Sequence, residues 1–238
     1  MNRTTVAALA GSVGLGALVA FGVLAKFLVD DGAPLAADSG LLAWSVAHRP
    51  DTAVALARGL TATGTGVVPY LLAVLAGIVA GRTPGHRMSA AGLAVLCLAS
   101  GQAVRYGAMT LVARPRPPWA AWETHASGWA FPSGHTTTAA LTAGLLVLAI
   151  CLRAPRGRTL LALAAGCWGA LVGLTRVYLG VHWFTDVIGG WLLGVGWLGL
   201  CLCAAARWLP DRFIAGTTPT AHEPTEDRHA PQDPGRGG

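Results

Sequence analysis

The chain is 238 residues long and 53% hydrophobic, and only 12% of it is charged, with 17 lysines and arginines against 11 aspartates and glutamates. A soluble domain carries about 25% charged residues, so this chain has too little polar surface to cover a water-soluble globule, and a membrane protein is the first reading. The net charge of +6 is nearly all arginine, set in short clusters between apolar runs. No basic face of a soluble domain is present, which argues against nucleic acid as a partner.

A helix that crosses a bilayer needs roughly 20 apolar residues. Residues 4–29 supply the first, uncharged until Lys26. Arg3 ahead of it resembles the start of a secretory signal, and 33–37 resembles a small-residue cleavage site. The apolar stretch exceeds the roughly 7–15 residues of such a signal, so an uncleaved span is expected. The connection from Asp30 to Thr65 holds Asp30, Asp31, Asp38, Pro34 and Pro50, and its residues 51–60 read as a short amphipathic helix at the surface. Spans two to six follow at 66–81, 88–112, 136–152, 159–179 and 184–206. The tail after Arg207 is rich in Pro, Thr, Gly and charge, lacks apolar periodicity and reads as disordered. The expected fold is all-α, an integral membrane bundle of six transmembrane helices with a short amphipathic surface helix over residues 1–206, followed by a tail over 207–238. Cys97, Cys151, Cys167, Cys201 and Cys203 fall in or beside apolar runs and read as small hydrophobes, not a disulfide framework.

Six spans put both ends on one side. Arg3, Arg82, Arg87, Arg153, Arg156 and Arg158 fall on that side, mostly in short connections. Arg49, Arg58, Arg114, Arg116 and Arg176 fall opposite, near Lys26 and offset by Asp30, Asp31, Asp38 and Asp51. Short basic connections favour the cytoplasm, so both termini and the tail are expected inside, with the loop Arg114–Pro117 on the outer face of the plasma membrane. Trp119, Trp122, Trp129, Trp183 and Trp208 lie near span ends, as an aromatic belt does.

Three segments are out of character for an apolar bundle. They are Arg114-Pro115-Arg116-Pro117-Pro118 after the third span, Pro132-Ser133-Gly134-His135 at the start of the fourth, and Thr175-Arg176 with His182 and Asp186 between the fifth and sixth. Counting spans places all three at one interface. His182 and Asp186 are four apart and would share a helix face; the carboxylate then fixes the ring tautomer and frees the other nitrogen to attack. The pair also fits a structural role, tying two helices. The segment 132–135 reads as a helix start, either an ordinary capped turn or an end whose free amides and dipole favour phosphate. Arg116 and Arg176 suit bidentate grip on phosphate oxygens or anchoring to lipid headgroups. Arg153, Arg156 and Arg158 read as topology signals alone.

Together these residues resemble the type 2 phosphatidic acid phosphatase superfamily, whose signature runs Lys-x6-Arg-Pro, Pro-Ser-Gly-His and Ser-Arg-x5-His-x3-Asp. The middle part is present without change at 132–135, the last has Thr175 for Ser with correct spacing, and the first ends in Arg116-Pro117. The likeness covers roughly residues 30–205. The family's lysine is replaced by Met109; Arg105, one helical turn earlier on the same face, is the nearest candidate to take its place. The resemblance implies a phosphorylated lipid as substrate, His182 as nucleophile forming a phosphohistidine, His135 as the proton donor, and Asp186 as the partner that steers His182. It implies that Arg116, Arg176, Ser133 and Gly134 hold the phosphate. The core has two carboxylates far apart in sequence, a poor basis for a metal site, so no metal and no cofactor are expected.

Overall fold

The computed structural model describes residues 2–153 and 156–210, and these form eight α-helices and no strand. From Asp211 onward the tail expected to be disordered lies outside the described residues.

Helix α1 (Arg3–Asp31) is 29 residues long, about 43 Å at 1.5 Å per residue. Asn2 caps it by accepting from the Thr5 amide, and Gly32 ends it in the left-handed region. It runs antiparallel to α8 (Phe184–Trp208), because Arg3 donates to the carbonyls of Ala206 and Leu209 at the far end of α8. The two backbones touch through glycine: a Cβ on Gly199 would lie 2.6 Å from Gly14 Cα. Small residues at a crossing let membrane helices approach this closely.

The connection after α1 is more ordered than its sequence suggests. It holds α2 (Ala36–Ala47), a helix additional to those expected, and α3 (Asp51–Ala62), the expected amphipathic helix. Helix α3 buries Val54, Ala57 and Thr61, one face at helical spacing. The second span is the weakest match: α4 (Val67–Ala80) has 14 residues, about 21 Å, against a hydrocarbon thickness of about 30 Å. Among the described residues five helices are long and apolar enough to cross a bilayer, and α3 with α4, bent 53° apart, make a sixth when taken as one crossing.

Helices α5 (Pro84–Val112), α6 (Gly134–Arg153) and α7 (Arg158–Tyr178) complete the bundle. Thr83 caps α5 ahead of Pro84, and Ala113, at φ 47°, turns the chain out of it. Between α5 and α6 a single 3-10 turn, Trp119–Ala121, interrupts an otherwise irregular loop. An apolar cavity of about 630 Å³ between α4, α5, α6 and α8, lined by residues such as Ala76, Cys97, Leu145 and Cys201, contains none of the predicted site residues.

The charges divide by end. Asp30, Asp31, Asp38, Asp51, Glu123 and Asp186, all the acids among the described residues, lie at the end where α1 finishes and α8 begins. Several basic residues there are locally paired: Lys26 with Asp30, Arg49 and Arg58 with Glu123, and Arg114 with Asp38 and Asp186. The other end carries Arg3, Arg82, Arg87, Arg153, Arg156, Arg158 and Arg207 with no acid among the described residues.

Candidate active site

All three unusual segments meet at the acidic end, where α5 and α7 finish and α6 and α8 begin. The loop after α5 is fastened by two indoles: Trp183 Nε1 donates to the Pro115 carbonyl at 3.0 Å and Trp122 Nε1 to that of Pro117 at 2.9 Å. The turn after α7 depends on Gly180, whose φ is 72° and whose missing Cβ would run into the Ala121 carbonyl. That turn delivers His182.

His182 is not on a helix; it lies two residues before Phe184, the first residue of α8. The pairing with Asp186 therefore does not arise from a shared helix face. Asp186 is the third residue of α8 and reaches back across the helix start, accepting from the Trp183 amide at 2.9 Å and standing 3.3 Å from His182 Nδ1. On the other side of the ring, Nε2 lies 3.0 Å from Arg116 Nη1. A guanidinium only donates, so this contact favours the tautomer in which Nε2 accepts and Nδ1 carries the ring proton toward Asp186. His182 is 3% exposed. Burial first, then the charges of Arg116 and Arg176, hold its pKa well below the usual imidazole value, which favours the neutral ring.

Asp186 is itself held by a residue outside the expected site. Arg114 donates through Nη1 to Asp186 at 2.6 Å and through Nη2 to Asp38, on α2, at 2.7 Å. Asp38 also accepts from the Thr185 amide and hydroxyl, both at 2.8 Å. Both carboxylates are 0% exposed and Arg114 is 7% exposed. This closed cluster ties α2 to the start of α8 and immobilises the acid that orients His182.

The other arginines of the site have no such partners. Arg176, 2% exposed, donates to Thr61 Oγ1 at 3.0 Å, and its Nε is buried without a partner. Arg116, half-buried, is spent on the carbonyls of Ser127, Gly128, Trp129 and Val181 besides His182. Arg105, 6% exposed, donates to Gln102 Oε1 at 3.0 Å. None of the three has a carboxylate within 4 Å among the described residues. Cations removed from water without an anion are costly, and an anion bound among these three would offset that cost.

The segment 132–135 departs in detail from its expected form. Pro132 precedes α6 instead of occupying its first turn, and the Ser133 hydroxyl accepts from Thr136 Oγ1 at 2.9 Å. Gly134 opens the helix, and His135, half-buried, makes no hydrogen bond to the described residues and lies within electrostatic range of His182, Arg116 and Arg176. Thr175, in the family's serine position, bonds back to the Val172 carbonyl at 2.6 Å. The structure thus brings His135, His182, Asp186, Arg116, Ser133, Gly134 and Arg176 to one end of the bundle. Sequence reasoning missed Asp38, Arg114 and Thr61. Asp38 gave one usable signal, an acid just ahead of the apolar run 41–44, where a helix start would place it.

Fold and site together define an integral membrane helical bundle with an imidazole–carboxylate pair beside a cluster of arginines at one end. The family model described as the PAP2 superfamily matches residues 90–210, and the chain belongs to that superfamily. Curated relatives include phosphatidylglycerophosphatase B of Bacillus subtilis (strain 168), 38% identical over 87 residues, covering 35% of this chain and 42% of the relative. Phosphatidylglycerophosphatase B of Escherichia coli (strain K12) is 40% identical over 100 residues, covering 42% of this chain and 36% of the relative. The matched segments thus span less than half the length of these relatives. The crystal structure of a transmembrane PAP2-type phosphatidylglycerolphosphate phosphatase from Bacillus subtilis has a TM-score of 0.63 at 25% identity, covering 82% of this chain and 94% of that one.

Proposed function

We propose that this chain is a membrane phosphatase that hydrolyses the phosphomonoester or diphosphate of a lipid. The observation that carries this reading is His182 Nε2, 3.0 Å from Arg116, beside arginines that have no carboxylate partner among the described residues. A phosphoryl group drawn to the arginines arrives at that nitrogen. In the first step Nε2 forms a bond to phosphorus while the bond to the lipid oxygen breaks, and His135, which takes up a proton as the phosphate's negative charge enters among the arginines, gives that proton to the departing oxygen. In the second, water attacks phosphorus, His135 takes its proton and the N–P bond breaks. Arg116, Arg176, Ser133 and the Gly134 amide hold the equatorial oxygens as charge redistributes. Asp186 holds the proton on Nδ1 and stabilises the positive charge the ring acquires.

Substrates of this class are phosphatidylglycerol phosphate, phosphatidic acid and polyprenyl diphosphates; the names of the two relatives favour the first. The basic end, with no acid among its described residues, supports both termini in the cytoplasm and the site at the outer leaflet of the plasma membrane. No metal takes part: the carboxylates nearest His182, Asp186 and Asp38, are both engaged by Arg114.

The test is phosphate release in EDTA from each of the three lipids by wild type and His182→Ala. Release from at least one, abolished by the substitution, is the expected result. Wild-type activity that requires added magnesium refutes the mechanism. Vesicle binding of these lipids with no release from any would turn the assignment to a binding or transport protein, and a phosphorylated acceptor other than water to a phosphotransferase.

A further inference from the structure

Met109 leaves the site without the cation that the family signature would place there, yet α5 supplies another. Arg105 is one turn earlier, and its guanidinium lies beneath the start of α6: a Cβ on Gly134 would sit 3.3 Å from Arg105 Cζ. The group is oriented there. Gln102 accepts from Arg105 Nε at 3.0 Å and donates to Thr138 Oγ1, which in turn donates to the Gly134 carbonyl at 2.8 Å. Tyr106 stacks on the cation at 3.8 Å. Nothing in this arrangement neutralises the charge, and at 6% exposure the side chain does not reach headgroups at the surface. Its Nη1 donates to the Met109 thioether at 3.4 Å, a weak acceptor. The Met109 methyl in turn lies against Gly128, whose carbonyl accepts from Arg116. Side chains from positions 105 and 109 therefore converge on one spot between Gly134 and the Arg116 loop.

We propose that Arg105 binds the substrate phosphate beside the Gly134 amide, and that a cation delivered from position 109 is interchangeable with it. This rests on the phosphatase reading above and deepens it. A guanidinium from position 105 brings a planar fork, where lysine from 109 would bring a point charge.

The experiment compares wild type, Arg105→Ala, Arg105→Lys and the double variant Arg105→Ala/Met109→Lys in detergent. Two quantities are read: kcat/KM for phosphatidylglycerol phosphate, and thermal stabilisation by orthovanadate, which needs no turnover. Arg105→Ala should lose about 10²–10³ in kcat/KM, the scale for removing one donor to a developing oxyanion, and should weaken the vanadate effect. Its melting temperature without vanadate should not fall, because the residue it loses has no anion partner. The double variant should recover at least about tenfold of the loss, one lysine–phosphate contact at about 1.4 kcal/mol. Arg105→Ala with kcat/KM and vanadate binding within about threefold of wild type overturns the proposal while leaving the phosphatase reading intact. So does a folded double variant that recovers neither quantity. If wild type releases no phosphate from any lipid tested, the phosphatase reading fails, and the vanadate shifts alone decide the role of Arg105.

Discussion

Arg176 offers the sharpest test of an anion site, because the structure makes stability and activity move in opposite directions. Its guanidinium is 2% exposed, has one hydrogen bond, to Thr61, and leaves Nε unsatisfied. An unsatisfied buried donor costs about 1–3 kcal/mol, and the charge adds a desolvation penalty that no carboxylate offsets. Methionine fills a similar volume without either penalty. Arg176→Met should therefore stabilise the protein by about 1–3 kcal/mol, a rise in melting temperature of about 2–10 °C for a chain of this size. It should lower kcat/KM by about 10²–10³, as loss of a transition-state donor does. The control is Arg114→Met, which strands Asp38 and Asp186 as buried, unpaired carboxylates and should destabilise by about 3–5 kcal/mol. The assay is intrinsic fluorescence melting in detergent, with and without orthovanadate. At 100 times its dissociation constant vanadate should add about 2.7 kcal/mol to wild type and little to Arg176→Met. If Arg176→Met melts several degrees below wild type and keeps the full vanadate shift, Arg176 is a structural ion and the reasoning fails.

Further outcomes follow from the same geometry. Asp38 is buried and holds Arg114 and Thr185, so Asp38→Asn should lower kcat about tenfold or more with KM little changed; steady-state kinetics that show the reverse split would remove its positioning role. His135→Asn should slow phosphatidic acid hydrolysis by about 10²–10⁴ but spare the burst of p-nitrophenol from p-nitrophenyl phosphate, whose leaving group needs no proton; equal loss in both argues against His135 as the acid. Because burial and then Arg116 and Arg176 depress the His182 pKa, the unfolded chain binds a proton that the folded one refuses. Stability contributed by this residue is thus full above about pH 6.5 and falls as pH drops below it. Melting temperatures of wild type and His182→Gln between pH 7.5 and 5 should converge toward acid pH, and parallel curves would contradict the assignment.

The long apolar runs are legible in sequence because a bilayer imposes one length and one composition on whatever crosses it. The same constraint made the charged exceptions visible, and counting spans brought 114–118, 132–135 and 175–186 to one end. What sequence did not reveal was tertiary. Asp38 in a connection rich in proline and acid reads as solvated charge, and nothing local foretells a partner at Arg114, 76 residues on. Arg114 and Arg116 look equivalent two residues apart, yet the loop turns one toward two carboxylates and the other toward His182. The spacing of His182 and Asp186 is that of a helix face, but the pair forms across a helix start, where an acid at the third position reaches back to the capping amide in any case. At the second span apolar composition alone does not sense a break that bends two short helices by 53°.

On the proposed phosphatase reading, the division of the arginines into paired and unpaired also bears on which lipid phosphates the site would admit. Arg114 with Asp38 and Asp186 leaves one surplus negative charge, and Arg105, Arg116 and Arg176 bring three positive charges without carboxylates, so the site carries about two net positive charges when both histidines are neutral. A phosphomonoester carries about −1.5 to −2 at neutral pH and cancels this charge. The diesters that make up the surrounding bilayer carry one negative charge and would leave a buried cation uncompensated, in a setting where an unpaired charge costs several kcal/mol. Selectivity for a monoester over a large excess of diester lipid then needs no recognition of the acyl chains. The same reckoning predicts that Arg105→Ala or Arg176→Met, each removing one positive charge, should weaken monoester binding more than diester binding. Competition of phosphatidylglycerol with phosphatidylglycerol phosphate in mixed micelles measures this directly, and discrimination that is unchanged or improved in both variants would show that charge balance does not set it.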